Sequence, residues 1–283
     1  MIPFAAMHLA AFGALWSGVT VEAVVIGIVS YYLRMIAVTA GYHRYFSHRS
    51  FKTGRIFQLL LAFLAQTSSQ KGVLWWAAHH RDHHKYSDQD EDLHSPVKRG
   101  FWYAHLMWIF DGTSDTKWER IQDFARYPEL RFLNRFWMLP PALLGFATWA
   151  IWGWSAFFVG FVLSTVLLWH GSFIVNSVSH LWGRRRFDTT DDSRNSLLVA
   201  LLTCGEGWHN NHHHYQASAR QGFYWWEIDL TYYVLKALSW VGLVWDLREP
   251  PKKVLESKRL DRPDAAPASM AAEPAVAEVA PPA

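Results

Sequence analysis

Cysteine is almost absent from this chain. Cys204 is the only one, so no intrachain disulfide can form and no cysteine-ligated iron–sulfur cluster can be held. Lysine and arginine are missing from residues 1–33 and 136–183; the first gap removes the basic leader of a cleaved secretory signal. There is no internal repeat, no glycine-rich phosphate loop and no Gly-x-Ser-x-Gly elbow, which sets aside the chemistries those motifs carry. The formal charge of +3 is no nucleic-acid footprint, because the bases lie where membrane topology would put them.

Where charge is missing, apolar residues are concentrated. They run over residues 4–16, 20–40, 136–153 and 155–181, and a bilayer core of about 30 Å needs roughly 20 such residues per helical crossing. Four transmembrane helices are expected, the first of them short. The basic stretches 34–135 and 184 onward then face the cytoplasm by the positive-inside rule, with both termini on that side and two small outer loops near residues 17–22 and 152–155. The lone cysteine agrees with a reducing compartment, and the seventeen tryptophans with interfacial belts. Residues 1–258 form the expected membrane domain. Residues 259–283, rich in Pro, Ala and Glu, bury too little apolar area to offset their ordering entropy and are expected to be a disordered tail.

Fifteen histidines remain to be explained. Three boxes flank the apolar runs: His43 with His48, His80 with His83 and His84, and His209 with His212 and His213. Eight imidazoles exceed what one tetrahedral site needs, so two metal ions are implied. Positions i, i+3 and i+4 of a helix share a face, which lets the second and third boxes each converge. His43 and His48 stand roughly 140° apart on a regular helix and meet only if the helix ends or bends between them. Asn176 and His180 form an i, i+4 pair at the end of the last apolar run, where polar residues are costly and usually functional. His180 reads as a ligand; Asn176 reads either as an interhelical hydrogen-bond partner or as the holder of a metal-bound water. His8, His105 and His170 are isolated and read as packing residues, while His79, His94 and His214 sit beside the boxes but off their spacing.

Ligand imidazoles usually pass their second N–H to a carboxylate. Asp82, Asp88, Asp90, Glu91, Asp92 and Glu206 are near enough in sequence, with Glu206 the strongest and most of 88–92 expected to be a solvated loop. Lys98 and Arg99, and the triplet Arg184, Arg185 and Arg186, are placed to clamp a phosphate-bearing head group, though such clusters also serve as topology anchors.

The run Thr39-Ala-Gly-Tyr-His-Arg-Tyr-Phe-Ser-His48, His80-Arg-Asp-His-His-Lys-Tyr-Ser87, Arg99-Gly-Phe-Trp-Tyr-Ala-His-Leu-Met-Trp108, Asn176-Ser-Val-Ser-His180 and Gly205-Glu-Gly-Trp-His-Asn-Asn-His-His213 resembles the integral-membrane fatty acid desaturases, in particular the acyl-CoA Δ9 (stearoyl-CoA) type. The likeness extends over residues 20–250. It implies an all-α membrane protein of four transmembrane helices, capped by a cytosolic helical domain that holds a di-metal site. It further implies nine ligands to two ferrous ions, namely His43, His48, His80, His83, His84, His180, His209, His212 and His213, a water-bridged Asn176 and a narrow bent tunnel for the acyl chain. The substrate would be a long-chain acyl-CoA or acyl lipid and the oxidant O2. With no cluster-forming cysteines and no fused cytochrome b5 domain in view, electrons would come from a separate ferredoxin, cytochrome b5-like protein or reductase. The residues 75–79, Trp-Trp-Ala-Ala-His, replace charged residues of the animal enzymes, which leaves the acyl carrier open. Zinc would occupy the same imidazoles without redox activity. A bacterial cell membrane is the expected location. A membrane hydroxylase would use the same site, and a metal transporter is disfavoured because these histidines gather at helix ends rather than at the midplane.

Overall fold

A computed structural model describes residues 2–111 and 115–260. The chain is mostly helical. Helix α1 (Ile2–Ala11) is followed by the short Gly13–Ser17. Then α2 (Val21–Ala37) runs without interruption into a π-helix over Val38–Ser47. Helices α3 (Arg55–Gln66) and α4 (Val73–Tyr86) come next. After a stretch of short turns follow α5 (Pro128–Arg135) and α6 (Leu139–Ser155), a second π-helical stretch (Ala156–Leu163) and α7 (Ser164–Ser177). Helices α8 (Leu197–Leu202), α9 (His209–His214) and α10 (Leu230–Trp240) complete the set used below. One small departure from the expected all-α fold is an antiparallel pair, Lys52–Thr53 with Val244–Trp245, in register Lys52↔Trp245.

Two helical stretches are long and apolar enough to cross a membrane, Val21–Ser47 and Leu139–His180. The second breaks at Gly153, whose φ of 78° and ψ of −168° are not helical; a side chain there would be strained. The break falls in one of the two expected outer loops. The stretches cross where residues are small: a Cβ on Gly27 would stand 3.2 Å from the Val159 carbonyl oxygen, so the backbones approach as closely as glycine allows. Arg34 is buried in this crossing and donates to Ser164 Oγ and Thr165 Oγ1 at 2.5 and 2.6 Å, which ties the two stretches together. Their outer faces expose large apolar residues such as Val25, Ile28, Leu33 and Ile151, an arrangement that water would penalise.

Below these stretches a core of Met35, Phe46, Phe51, Leu74, Leu130 and Leu168 joins α2, α4, α5 and α7. Arg259 and Leu260, placed in the tail by composition, belong to the fold. Arg259 bridges Phe187, and the Leu260 N–H donates to the Arg186 carbonyl at 2.8 Å. Residues 261–283, the rest of the expected tail, lie outside the described residues.

Candidate functional site

The first histidine box is built by a change of helix type. From Val38 the backbone widens to a π-helix, and the N–H of His48 donates to the carbonyl of His43 at 3.2 Å. Residues five apart are hydrogen-bonded in such a helix, so His48 lies one turn beyond His43 on the same face, with ring centres 4.9 Å apart. The expected end or bend is therefore a widening.

Helix α4 carries the second box and is capped by side chains: Asn134 Oδ1 accepts the N–H groups of Leu74 and Trp75 at 3.0 and 2.9 Å, and Gln66 Oε1 that of Val73 at 3.0 Å. Arg81, between the histidines, donates to the carbonyls of Phe46 and Ser47 at 2.8 and 3.0 Å and to Asp123. That clamp sets the second box against the first. In the third box the intervening Asn210 and Asn211 point away from the histidines. Asn210 Oδ1 accepts the N–H groups of Arg186 and Phe187, each at 2.8 Å, and Asn211 Nδ2 donates to Gln221 and Glu227.

Nine imidazoles gather into two groups rather than three. His43, His48, His80, His84 and His212 form one, and His83, His180, His209 and His213 the other, with the nitrogens of each group within 4.8 Å of one another. The convergence expected of the second and third boxes is corrected here. At 100° per residue, positions i and i+4 stay together while i+3 falls on the other side of them, so His83 and His212 leave their own boxes. His180 joins from a 3-10 turn, Val178–His180, just past α7. Its Nε2 lies 3.0 Å from that of His209, and His43 Nε2 lies 3.0 Å from His212 Nε2.

Carboxylates grip the far side of four rings. Asp92 accepts from His83 Nδ1 at 3.0 Å, Asp88 from His180 Nδ1 at 2.8 Å, Asp191 from His213 Nδ1 at 2.6 Å, and Glu206 from His43 Nδ1. Each leaves an Nε2 lone pair turned into the cluster, the carboxylate–histidine arrangement of metal sites. Of these, His213 Nε2 is buried and without a hydrogen-bond partner, and in the other group the Nε2 of His84 lies 3.0 Å from that of His80 and 2.8 Å from that of His212. The donor set thus fits two metal ions. Burial, then the neighbouring histidines, hold His48, His80, His84, His209 and His212 well below the ordinary imidazole range, and burial brings His213 down to about 4 despite Asp191. These rings are neutral at pH 7, as a ligand must be. His83 is the exception: burial would lower it, but Asp92 raises it overall.

The expectation of a solvated 88–92 loop is corrected for the buried Asp92 and the part-buried Asp88, both held against histidines, and holds for Asp90, which pairs with Lys98 at 2.9 Å. Asp82 serves Lys117 and Arg120 instead of a ligand ring. Asp191 was not anticipated, although it stands in the acidic run 188–192 between the last apolar stretch and the third box. Glu206 is where the sequence put it, and it is itself held by Arg44, which is 0% exposed and also bridges Asp229 at 2.9 Å.

The head-group candidates fare differently. Arg186 is buried against Glu227 and Asn211 and cannot face a substrate. Arg185 pairs with Asp192 at 3.5 Å, and Arg99 with Asp111 at 3.6 Å. The backbone of Arg184 pairs with Asn195. His8, His170 and His105 are not isolated: ring nitrogens of His8 and His170 lie 3.2 Å apart, His170 and His105 3.0 Å, and His105 Nδ1 is 3.0 Å from Ser177 Oγ. His79 holds the Trp75 carbonyl at 2.8 Å, His214 stacks on Phe187, and the buried His94 ring centre lies 4.5 Å from that of His83.

A cavity of about 610 Å³ reaches this site. Its wall is largely aromatic and aliphatic, from Phe157, Phe161 and Met7 through Trp169 and Phe173 to Trp76, and at its polar end stand His80, His94 and Asn176. Trp76 stacks on His80 with ring centres 4.9 Å apart.

A helical scaffold that brings nine imidazoles, four of them held by carboxylates, against an apolar cavity defines an oxidoreductase for lipid chains. The comparisons agree: the family model for fatty acid desaturases matches residues 15–244, and the chain belongs to the fatty acid desaturase family. It is 37% identical over 228 residues to the sn-2 palmitoyl-lipid 9-desaturase of Nostoc sp. (strain 36), covering 78% of this chain and 77% of that protein. Against the acyl-CoA C20 Delta5-desaturase of Anemone leveillei it is 38% identical over 220 residues, 76% of this chain and 70% of that one. Against the Delta-9 acyl-lipid desaturase 2 of Arabidopsis thaliana it is 35% identical over 246 residues, 86% and 78%.

Proposed function

We propose that this enzyme is an O2-dependent di-iron desaturase that inserts a cis double bond at Δ9 of a saturated long-chain acyl group carried on a lipid or CoA. The observation that carries this reading is the pairing of two buried imidazole clusters with one apolar cavity whose wall includes His80 and Asn176. The nine histidines would hold the two metal ions, five about one and four about the other. Iron so held would supply redox chemistry, in which the acyl chain loses two hydrogens while O2, two electrons from an external protein donor and two protons become two waters.

The chain's own residues do the rest. Asp88, Asp92, Asp191 and Glu206 fix the tautomer of their histidines and raise the basicity of the ring. Trp76, Trp108, Trp169 and Phe173 keep water from the acyl chain, and Asn176 offers an amide that can hold a water beside the cluster. Histidines suit iron and zinc alike, but zinc has no redox change to offer. Four membrane spans with both termini and all histidines on the cytoplasmic side of a bacterial cell membrane complete the reading; the exposed apolar faces of the two long stretches and the two base-free segments support it. Relatives named for Δ5 and Δ7 positions make the position the part most in need of a test.

Expression in cells unable to make unsaturated lipids, followed by gas chromatography–mass spectrometry of their fatty acids, is expected to show cis-Δ9 monoenes. An oxygenated product would favour a hydroxylase, and a double bond elsewhere would move the assignment. Purified enzyme verified to contain zinc and no iron should make no olefin until iron, O2 and a reducing donor are supplied. Equal rates from both forms would refute the oxidative mechanism.

A further inference from the structure

Among the described residues, the cavity that reaches His80 and Asn176 has one lysine in its wall and no arginine, aspartate or glutamate. Lys71 lies in the turn between α3 and α4, half-buried, with its ammonium 5.8 Å from the ring centre of Trp75 and 5.6 Å from that of Trp137. Among the described residues it pairs with no carboxylate, whereas Lys98, Arg99, Arg185 and Arg186 each do. The same wall includes the exposed Met138 next to Trp137.

The backbone at Lys71 adds an independent argument. Its φ of 73° is left-handed, a conformation that glycine takes freely and that a residue with a Cβ adopts at a cost. Ser69, two residues earlier, is left-handed as well, at φ 60°, so the turn that carries Lys71 is tightly folded. The Lys71 carbonyl also accepts the Tyr42 hydroxyl at 2.7 Å, so the turn is fastened to the residue next to His43. A cation with aromatic neighbours, partly withdrawn from water and fixed relative to the histidine cluster, is placed to meet the head of a chain whose tail passes His80.

We propose that Lys71 is the anion-recognising residue at the mouth of the acyl cavity and selects acyl substrates whose head carries a phosphate. The inference rests on the reading of the cavity as the acyl site. An ammonium binds phosphate as a point charge, and a phospholipid head group and the phosphates of CoA offer the same chemistry. Lys71 supplies what the clamps expected at Lys98–Arg99 and Arg184–Arg186 were meant to supply, without a carboxylate competing for it.

The test is equilibrium binding to the full-length protein in uncharged detergent, with palmitoyl-lysophosphatidylglycerol, palmitoyl-CoA and monopalmitoylglycerol as probes sharing one acyl chain. One or both phosphate compounds should bind about tenfold more tightly than the neutral one, the scale of a charge-assisted hydrogen bond, and whichever binds better identifies the carrier. Lys71→Gly, which suits the backbone and so keeps the fold, should erase that preference while leaving monopalmitoylglycerol unaffected; Lys71→Arg should keep it. Binding of all three without preference, or a preference that survives in Lys71→Gly, overturns the assignment and leaves the acyl cavity standing. Binding of none of them overturns the cavity reading and the assignment with it.

Discussion

Asp191→Asn is the sharpest probe of the site, because it removes a charge without removing a ligand or changing shape. Asp191 Oδ2 accepts from His213 Nδ1 at 2.6 Å in a buried environment, and its other oxygen accepts the Ser193 N–H at 3.0 Å. The carboxylate is held well below the usual range because His213 and Ser193 outweigh the penalty of burial, so it is charged at any working pH. An asparagine has only one oxygen, so it can keep the bond from His213 while its amide nitrogen faces the Ser193 N–H, and as a neutral acceptor it gives about 0.5–1.5 kcal/mol where a charged one gives about 1.5–3. His213 also becomes a weaker donor to metal. Losses at such positions run to roughly 10–100-fold in metal affinity, about 1.4–2.8 kcal/mol. Because His213 belongs to the four-histidine group, one of the two metals per chain should be lost at a lower chelator concentration while the other is retained. Metal analysis of protein equilibrated in chelator-buffered iron reads both stoichiometry and affinity. Asp82→Asn, on the same helix as His80 and His83 but paired with Lys117 and Arg120, is the matched control. Unchanged affinity in Asp191→Asn, or an equal loss in the control, would refute the reasoning.

His84→Ala should abolish product, since it takes a member from the five-histidine group and touches no apolar stretch; turnover near wild type in purified, folded protein would remove His84 from the ligand set. Metal-free protein should lose thermal stability as pH falls below about 6.5, because His48, His80, His84, His209, His212 and His213 refuse protons that the unfolded chain accepts, each adding up to about 1.4 kcal/mol per pH unit. His83, whose shift is upward, works in the opposite direction, so its contribution is lost as pH rises; a melting temperature flat from pH 7.5 to 5 would contradict the lowered histidines. Arg44→Leu leaves Glu206 and Asp229 buried without their partner and should destabilise by about 3–5 kcal/mol, read by thermal unfolding in detergent. For topology, single cysteines at Asp90 and Lys52 should label from one membrane face and one at Val19 from the other, with Cys204 silent because it is buried; opposite sidedness of the first two would refute the four-span reading. Ser87 and Ser218, at 5% and 1% exposure, are unsuitable for such labels.

Hydropathy located the apolar stretches well because burying or exposing them is a property of whole segments. The break at Gly153 lies within the loop that charge-free composition suggested. What composition could not register was backbone conformation. Nothing in Val38-Thr-Ala-Gly-Tyr-His-Arg-Tyr-Phe-Ser47 announces a π-helix, since the choice between i+4 and i+5 bonding is decided by packing: a Cβ on Gly41 would stand 3.1 Å from the Leu61 carbonyl oxygen. The same limit applies to Lys71, whose left-handed backbone is visible only in the fold.

Spacing identified which histidines matter but misjudged how they divide, and the reason lies in helix geometry. A box at i, i+3, i+4 is a fork: one member lies to one side of the pair formed by the others. Two antiparallel or crossing forks laid tip to tip therefore make two sites, each taking members from different boxes, and this is how His83 comes to stand with His180, His209 and His213 while His212 stands with His43, His48, His80 and His84. A consequence is that both groups draw on the same two helices, α4 and α9. Arg81 fastens α4 to the π-helix of the first box, and Asn210 and Asn211 fasten α9 to Arg186 and Gln221. The residues interposed in the boxes are therefore as much a part of the site as the imidazoles, because they set which nitrogen faces which cluster.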